Sequence, residues 1–334
     1  MFFSDSCHKA HDKMKILVTG AAGFIGQIVS KELLSDDSNK IVMTDIVQPP
    51  IPHGSAYPHN AETIQTDLIE APASIIHKDL DAAILLHGVM SSAAEADFEL
   101  GYRVNVDATR ALLLALAKAC TGIRVLYASS EAVYGTPVPK LGVTEADIPT
   151  PEMSYGCQKI ICETLINDFT RRGMINGFSL RFPTISIRPG APSAAISAFL
   201  SGIIREPLNG QVCTVPLIDR AWRHWMCSPK TLVYNIMVAV KLPRDALPLH
   251  RRSVNLPGFA VTVQEMLDAL EEVAGKEKLA LVKEVDVPDL KSTLYSWADD
   301  FDNSLGLELG MKQDKSFVQS VQDYVETISE ESKK

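Results

Sequence analysis

The stretch Lys15-Ile16-Leu17-Val18-Thr19-Gly20-Ala21-Ala22-Gly23-Phe24-Ile25-Gly26 decides the fold. Its first five residues, with Ile, Leu and Val at the centre, predict a short strand buried on both faces. Three glycines spaced G-x-x-G-x-x-G follow, and a helical pattern begins inside them. Glycine there lets the chain turn tightly, lets backbone approach a pyrophosphate, and lets the helix pack closely on the strand. The helix N-terminus adds N–H donors and a dipole that favours an anion. The spacing departs by one residue from G-x-G-x-x-G, so the glycines alone also fit a plain tight turn. The strand before them and the helix after them point to a dinucleotide phosphate loop, with Gly20, Gly23, Phe24, Ile25 and Gly26 as candidate cofactor contacts.

Outward from this loop, short Val/Ile/Leu runs alternate with longer stretches of helical period. Strands are expected at 15–19, 40–45, 63–66, 82–87, 123–129 and 177–182, and helices at 24–34, 93–119 and 152–172. That alternation predicts an α/β Rossmann fold, a doubly wound parallel sheet, over residues 14–183. Two loops interrupt it, one at Pro49, Pro50, Pro52 and Pro58, the other at Pro137, Pro139, Pro149 and Pro151. After Pro183 the alternation lapses through Pro189, Gly190 and Pro192. Residues 184–330 are therefore expected to form a smaller C-terminal substrate-binding lobe, interleaved with the sheet through a strand at 253–256 and a helix at 262–274. Residues 1–13 are expected to be a flexible tail, and 330–334 to be disordered.

The second strand ends in Asp45, 19 residues beyond Gly26. A carboxylate at that place can accept from both hydroxyls of an adenosine ribose and repels a 2′-phosphate. Ile46, Val47 and Gln48 follow without a cation, which favours NAD over NADP. A turn-capping Asp45 is the other reading. Asp67 ends the third strand, where a polar group meets an adenine edge, and Leu68 beside it is a candidate to pack on the ring.

Tyr155 and Lys159 lie four residues apart at the start of a helix, on one face. Free tyrosine ionises at about pH 10, too high for a base near neutrality, and an ammonium one turn away favours the phenolate. The pair alone decides nothing, since roughly one such pair per two chains of this composition arises by chance. Its position decides more: it falls one helix after the strand that ends at Ser129-Ser130, over the crevice where a doubly wound sheet binds its ligand. Ser130 is a candidate to hold the substrate oxygen, or a helix or turn cap. Asn105 interrupts good helix formers; its amide could hold a water that relays protons to Lys159, or simply face solvent.

The chain has 334 residues and a formal net charge of -9, with Lys and Arg scattered, which argues against a nucleic-acid face. No apolar run approaches the roughly 18 residues that cross a bilayer, so no membrane contact is expected. Residues 1–13 lack the apolar stretch of a secretory signal. Six cysteines show neither C-x-x-C nor finger spacing, as in a reduced cytoplasmic enzyme, and read as small buried hydrophobes. His8, His11, His53 and His59 have no ligand spacing, so no metal is expected.

Together, Gly20, Gly23, Gly26, Asp45, Asp67, Asn105, Ser130, Tyr155 and Lys159 resemble, in order and spacing, the extended short-chain dehydrogenase/reductase family of NAD-dependent epimerases and dehydratases. The resemblance implies NAD as cofactor, a sheet of about seven strands, and homodimers built on the helices at 93–119 and 152–172. It also implies cofactor contacts at His87-Gly88-Val89, Pro183 and Thr184, besides Tyr155 and Lys159, and substrate contacts at Ser91, Ser130 and Tyr155. The runs 179–190 and 201–208 look most like the branch that oxidises D-erythronate at C2. Such a sugar acid needs a cation for its carboxylate, and Arg188, Arg223 and His224 are candidates. Ser130-Glu131-Ala132 departs from the Thr-Asp-Glu of sugar dehydratases, which speaks against water elimination. Two alternatives stay open: a nucleotide-sugar epimerase that keeps its NAD, and a non-catalytic dinucleotide sensor.

Overall fold

Successive side chains of a strand point to opposite faces, and the first strand, β1 (Lys15–Thr19), shows the consequence. Ile16 and Val18 enter one hydrophobic core and Leu17 the other, all three fully buried. The computed structural model describes residues 13–138, 142–190 and 196–332. Most of the expected N-terminal tail, Pro139, Pro192 and the last two residues lie outside them.

From β1 the chain runs through α1 (Phe24–Leu33), β2 (Lys40–Asp45), β3 (Ala61–Gln65), β4 (Ala82–Leu85), α2 (Ser91–Ala96) and α3 (Phe98–Tyr102). A π-turn at Arg103–Asp107 leads into α4 (Ala108–Ala119), then β5 (Arg124–Ser130), α5 (Ser154–Arg171) and β6 (Asn176–Phe182). The remainder supplies β7 (Thr184–Ile185), α6 (Phe199–Leu208), β8 (Cys213–Val215), β9 (Arg223–Cys227), α7 (Pro229–Val240), β10 (Ser253–Asn255) and β11 (Phe259–Thr262). It closes with α8 (Val263–Ala274), α9 (Lys276–Leu279), β12 (Val282–Glu284), α10 (Pro288–Tyr295), α11 (Ser304–Glu308) and α12 (Phe317–Ser332).

Seven strands form one sheet in the order β10-β6-β5-β4-β1-β2-β3, every pair parallel. Parallel neighbours need crossovers, and the helices that make them cover both faces. Val29 and Leu33 of α1, with Leu232, Ile236 and Ala239 of α7, fill one side. Leu112, Leu113 and Leu116 of α4, with Cys162, Ile166 and Phe169 of α5, fill the other. Each fully buried Leu or Ile contributes about 1.5–3 kcal/mol. The strand order reverses between β1 and β4, so the loops after these two strands diverge and leave a crevice at their carboxyl ends.

A further core gathers α6, β8, β9, α8 and α12 around Leu200, Ile203, Met226, Leu267 and Val321. Its sheet is β11-β9-β7, with β11 antiparallel and β7 parallel to β9. The chain leaves the large sheet after β6, enters this core through β7, and returns for α7 and β10.

Two expectations need correction. The helix expected at 93–119 is broken into α2, α3, the π-turn and α4, because the Asp97 carboxylate caps α3 at Leu100 N and five residues wind wide around Asn105. Disorder expected from 330 is not found up to Ser332, since α12 continues to that residue.

Candidate active site

Gly20 has φ 66°, in the left-handed region, and a Cβ there would lie 2.7 Å from the backbone of Leu86 and His87 at the end of β4. A Cβ on Gly26 would collide with the Gly20 carbonyl. Only glycine fits either place, and the loop is drawn in between β1 and β4 as a cradle for a pyrophosphate at the start of α1. Gly23 is the N-cap of α1, and Phe24 and Ile25 pack half-buried against the adjoining core.

Asp45 ties this loop to the end of β2. Its Oδ2 accepts from Ala22 N at 3.0 Å and its Oδ1 from Ile46 N at 2.7 Å. The turn-capping reading is what the structure shows, and it leaves the ribose reading open because each carboxylate oxygen keeps a further lone pair. Ile46 and Val47 stand exposed beside it with no cation among them. These residues fit NAD. Asp67 accepts from Ile69 N at 2.8 Å, while the Leu68 side chain is 8% exposed in the core with Leu17 and Val42. That placement corrects the expectation that the Leu68 side chain packs on adenine.

Tyr155 and Lys159 share the inner face of α5, both buried. The Lys159 Nζ donates to Ala128 O at 2.6 Å and stands 5.2 Å from the Tyr155 ring centroid. Ala128 lies on β5 two residues before Ser130, so the ammonium is pinned between the strand and the phenol. Gly156 lets α5 seat on the turn after Ser130, where a Cβ would collide with Ala132 O. Ser130 caps that turn, its Oγ accepting from Ala132 N at 3.2 Å, and keeps its own proton to donate.

His87 lies below the phosphate loop between two threonines. Thr109 donates to Asn105 O, so its oxygen accepts from the His87 Nε2–H at 3.1 Å. Thr19 accepts from Leu86 N and donates to His87 Nδ1 at 2.8 Å. Burial, then the Lys159 charge, push the imidazole down to about 3, which keeps it neutral in this tautomer.

Asn105 is buried, which removes the solvent-facing reading. Its Oδ1 accepts from Val89 N at 2.9 Å, and its Nδ2 donates to Val89 O at 3.1 Å and to Gln158 Oε1 at 2.7 Å. These bonds engage both amide N–H groups, while Oδ1 keeps one lone pair that a water can still donate to. The amide pins the Gly88-Val89 segment to α5. A Cβ on Gly88 would sit 2.8 Å from Asn105 Oδ1, so glycine permits the approach.

Sequence reasoning missed two networks. In the first, Arg181 on β6 donates to both oxygens of Glu163 on α5, at 2.9 and 2.7 Å, while Ser129 and Ser253 also donate to that carboxylate. Burial alone would lower the Arg181 pKa; Glu163 outweighs it and holds the guanidinium above its ordinary value. In the second, Glu131, Thr184 and His224 meet. Thr184 Oγ1 is 3.1 Å from Glu131 Oε1 and 2.7 Å from His224 Nε2. Neither network has a local motif, because its members come from separate elements.

The substrate candidates separate. Arg223 is 44% exposed at the start of β9 and pairs with Asp299 at 2.7 Å, as a structural salt bridge does. Arg188 is half-buried, and among the described residues it makes no ion pair. Desolvation, then the neighbouring Arg205, depress its pKa, so an anion beside it is favoured. Ser91 opens α2, half-buried. Pro183 and Thr184 join β6 to β7. Among the described residues, no cluster of His, Cys, Asp and Glu is arranged to hold a metal, and no helix is long and apolar enough to cross a membrane.

A glycine loop at the start of a helix, a carboxylate ending the second strand and a pinned Tyr/Lys pair on a seven-stranded parallel sheet define a class. The model of the NAD dependent epimerase/dehydratase family matches residues 16–229, and the chain belongs to that family, an NAD-dependent oxidoreductase. More particularly, it is 37% identical over 321 residues to D-erythronate dehydrogenase of Haemophilus influenzae, covering 94% of this chain and 99% of that one. It is 36% identical to D-erythronate dehydrogenase of Cupriavidus necator, covering 94% and 98%. Among solved structures, a nucleoside-diphosphate-sugar epimerase from Agrobacterium tumefaciens superposes with a TM-score of 0.86 at 34% identity, covering 94% of each chain.

Proposed function

We propose that this protein oxidises the C2 hydroxyl of a four-carbon sugar acid of the D-erythronate type to a 2-keto acid, with NAD as hydride acceptor. The two D-erythronate dehydrogenases similar to it over nearly their whole lengths support the substrate. The observation that carries the chemistry is the Lys159 ammonium held 5.2 Å from the Tyr155 ring by its bond to Ala128 O.

Ser130 donates its hydroxyl proton to the substrate oxygen and fixes it beside Tyr155. Tyr155, with the Lys159 ammonium beside its ring, removes the alcohol proton as general base. Bound NAD supplies the acceptor for the hydride that leaves C2. The alcohol thus loses one proton and one hydride, giving a ketone, reduced cofactor and a proton that Tyr155 returns to solvent. Arg188 binds the carboxylate, being a half-buried cation with no ion pair among the described residues. Burial of the Tyr155 and Lys159 side chains keeps water from competing for the general base.

D-Erythronate with NAD is expected to produce the absorbance of reduced cofactor. Silence across a panel of four- to six-carbon aldonates and uronates overturns the proposal. A nucleotide-sugar epimerase is the second reading, favoured by the name of the Agrobacterium relative. Co-purified NAD and thermal stabilisation by UDP-sugars, with no net cofactor reduction, would select it.

A further inference from the structure

Three buried polar atoms in one corner of the molecule, Glu131 Oε2, His224 Nδ1 and Asn255 Nδ2, have no hydrogen-bond partner among the described residues. Buried polar groups are nearly always paired, so three together ask for a cause. Glu131 and Asn255 line one narrow crevice, walled also by Arg181, Pro183, Trp225 and Phe301, that has no room for a water as its walls stand. Glu131 directly follows Ser130, so this crevice begins one residue from the hydroxyl assigned to the reacting oxygen.

Both side chains are held so that one atom of each is left over. Glu131 Oε1 accepts from Thr184, which in turn accepts from His224 Nε2. His224 is itself clamped, stacked on Trp222 at 5.6 Å and 6° and lying 5.1 Å from Trp297. Asn255 Oδ1 lies 3.0 Å from the Tyr134 hydroxyl, whose one proton it shares with Thr144 O, and its backbone N–H donates to Glu145 at 2.7 Å. What remains is one carboxylate acceptor, Oε2, and one amide donor, Nδ2, in a shared wall. A hydroxyl group both donates and accepts, and it complements such a pair.

We propose that Glu131 and Asn255 bind a hydroxyl of the substrate other than the one oxidised, and so set the preference for a polyhydroxy chain. The proposal rests on the reading of the substrate as a hydroxylated acid. Thr184 and His224 are positioning residues that aim the Glu131 carboxylate. The negative charge of Glu131 turns the carboxylate end of the substrate away, which fixes the direction in which the acid lies. So tight a crevice excludes a nucleotide, and a hydroxyl enters it only as its walls part.

The test compares D-erythronate with its 3-deoxy and 4-deoxy analogues in the wild type, Glu131→Gln and Asn255→Asp. The Gln keeps the acceptor for Thr184 and loses the carboxylate; the Asp keeps the acceptor for Tyr134 and loses the donor. Each variant is expected to lower kcat/KM on D-erythronate roughly 10- to 100-fold, mainly through KM. The loss vanishes on whichever deoxy acid lacks the bound hydroxyl. NAD affinity, measured by calorimetry, reports whether each variant is folded. Equal losses on all three acids, or no loss on any, overturn the inference while the proposed function stands. If the wild type oxidises none of the acids, the proposed function fails and the inference falls with it.

Discussion

In the proposed reaction Tyr155 and Lys159 divide one task, the phenol carrying the proton and the ammonium standing beside its ring. Tyr155→Phe removes only the oxygen and leaves the ring beside Lys159. Turnover should fall roughly 10²- to 10⁴-fold while NAD affinity changes little, measured by steady-state kinetics and calorimetry. Unchanged turnover would mean another base does the work. His87 offers a second test, in stability. Its folded pKa is about 3 against 6.5 for the free group, so below pH 6.5 the unfolded chain binds a proton that the native state refuses. The stability contributed by the neutral ring is complete above pH 6.5 and is lost as the pH falls towards 3, by up to about 1.4 kcal/mol per unit. Urea midpoints measured between pH 7 and pH 4 should fall less steeply in His87→Gln than in the wild type.

Among the elements, α5 carries Tyr155 and Lys159 and is held from three sides through one carboxylate. Glu163 on α5 meets Arg181 on β6, Ser129 on β5 and Ser253 on β10. Arg181→Met leaves that buried carboxylate without its counter-ion, and the expected loss is about 3–5 kcal/mol by chemical denaturation. Changing both partners to apolar residues of similar volume should cost less than the single change. This network also marks the limit of what the sequence discloses. β1 and β2 were legible to the residue, because Ile, Leu and Val runs ending in Thr19 and Asp45 are local signals. The need for glycine at Gly20 and Gly26, and the shared helix face of Tyr155 and Lys159, were legible for the same reason. The break in the helix at 93–119 was not, since a single wide turn at Asn105 hardly disturbs an apolar period. Pairs such as Glu163 with Arg181, or Glu131 with His224, exist only once distant strands are side by side. Leu68 misled for the opposite reason: its place in the chain matched the adenine side, but its side chain turned into the core.

At the level of the whole molecule, the path of the chain couples the two regions of the fold. β7 pairs with β9 in the smaller sheet, and the chain then returns to lay α7 on the large sheet and β10 against β6. The fully buried Arg252 fastens that return, its Nε donating to Gly177 O at 2.8 Å, its Nη1 to Leu247 O at 2.7 Å and its Nη2 to Asn176 Oδ1 at 3.0 Å. Melting the region around β9 therefore strips α7 and β10 from the large sheet, so the two cannot unfold separately. The three tryptophans give a clean readout, because Trp222 and Trp297 pack in or against the core built around β9, and Trp225 lies on β9 with Phe301. None of them belongs to the phosphate cradle. NAD at about 100 times its Kd stabilises the native state by about 2.7 kcal/mol, which for a chain this long raises the midpoint by roughly 4 °C. Tryptophan fluorescence and far-ultraviolet circular dichroism should show one coincident transition, moved equally by NAD. A fluorescence midpoint that stayed in place while the dichroism moved would mean that the return through α7 and β10 does not bind the regions into one cooperative unit.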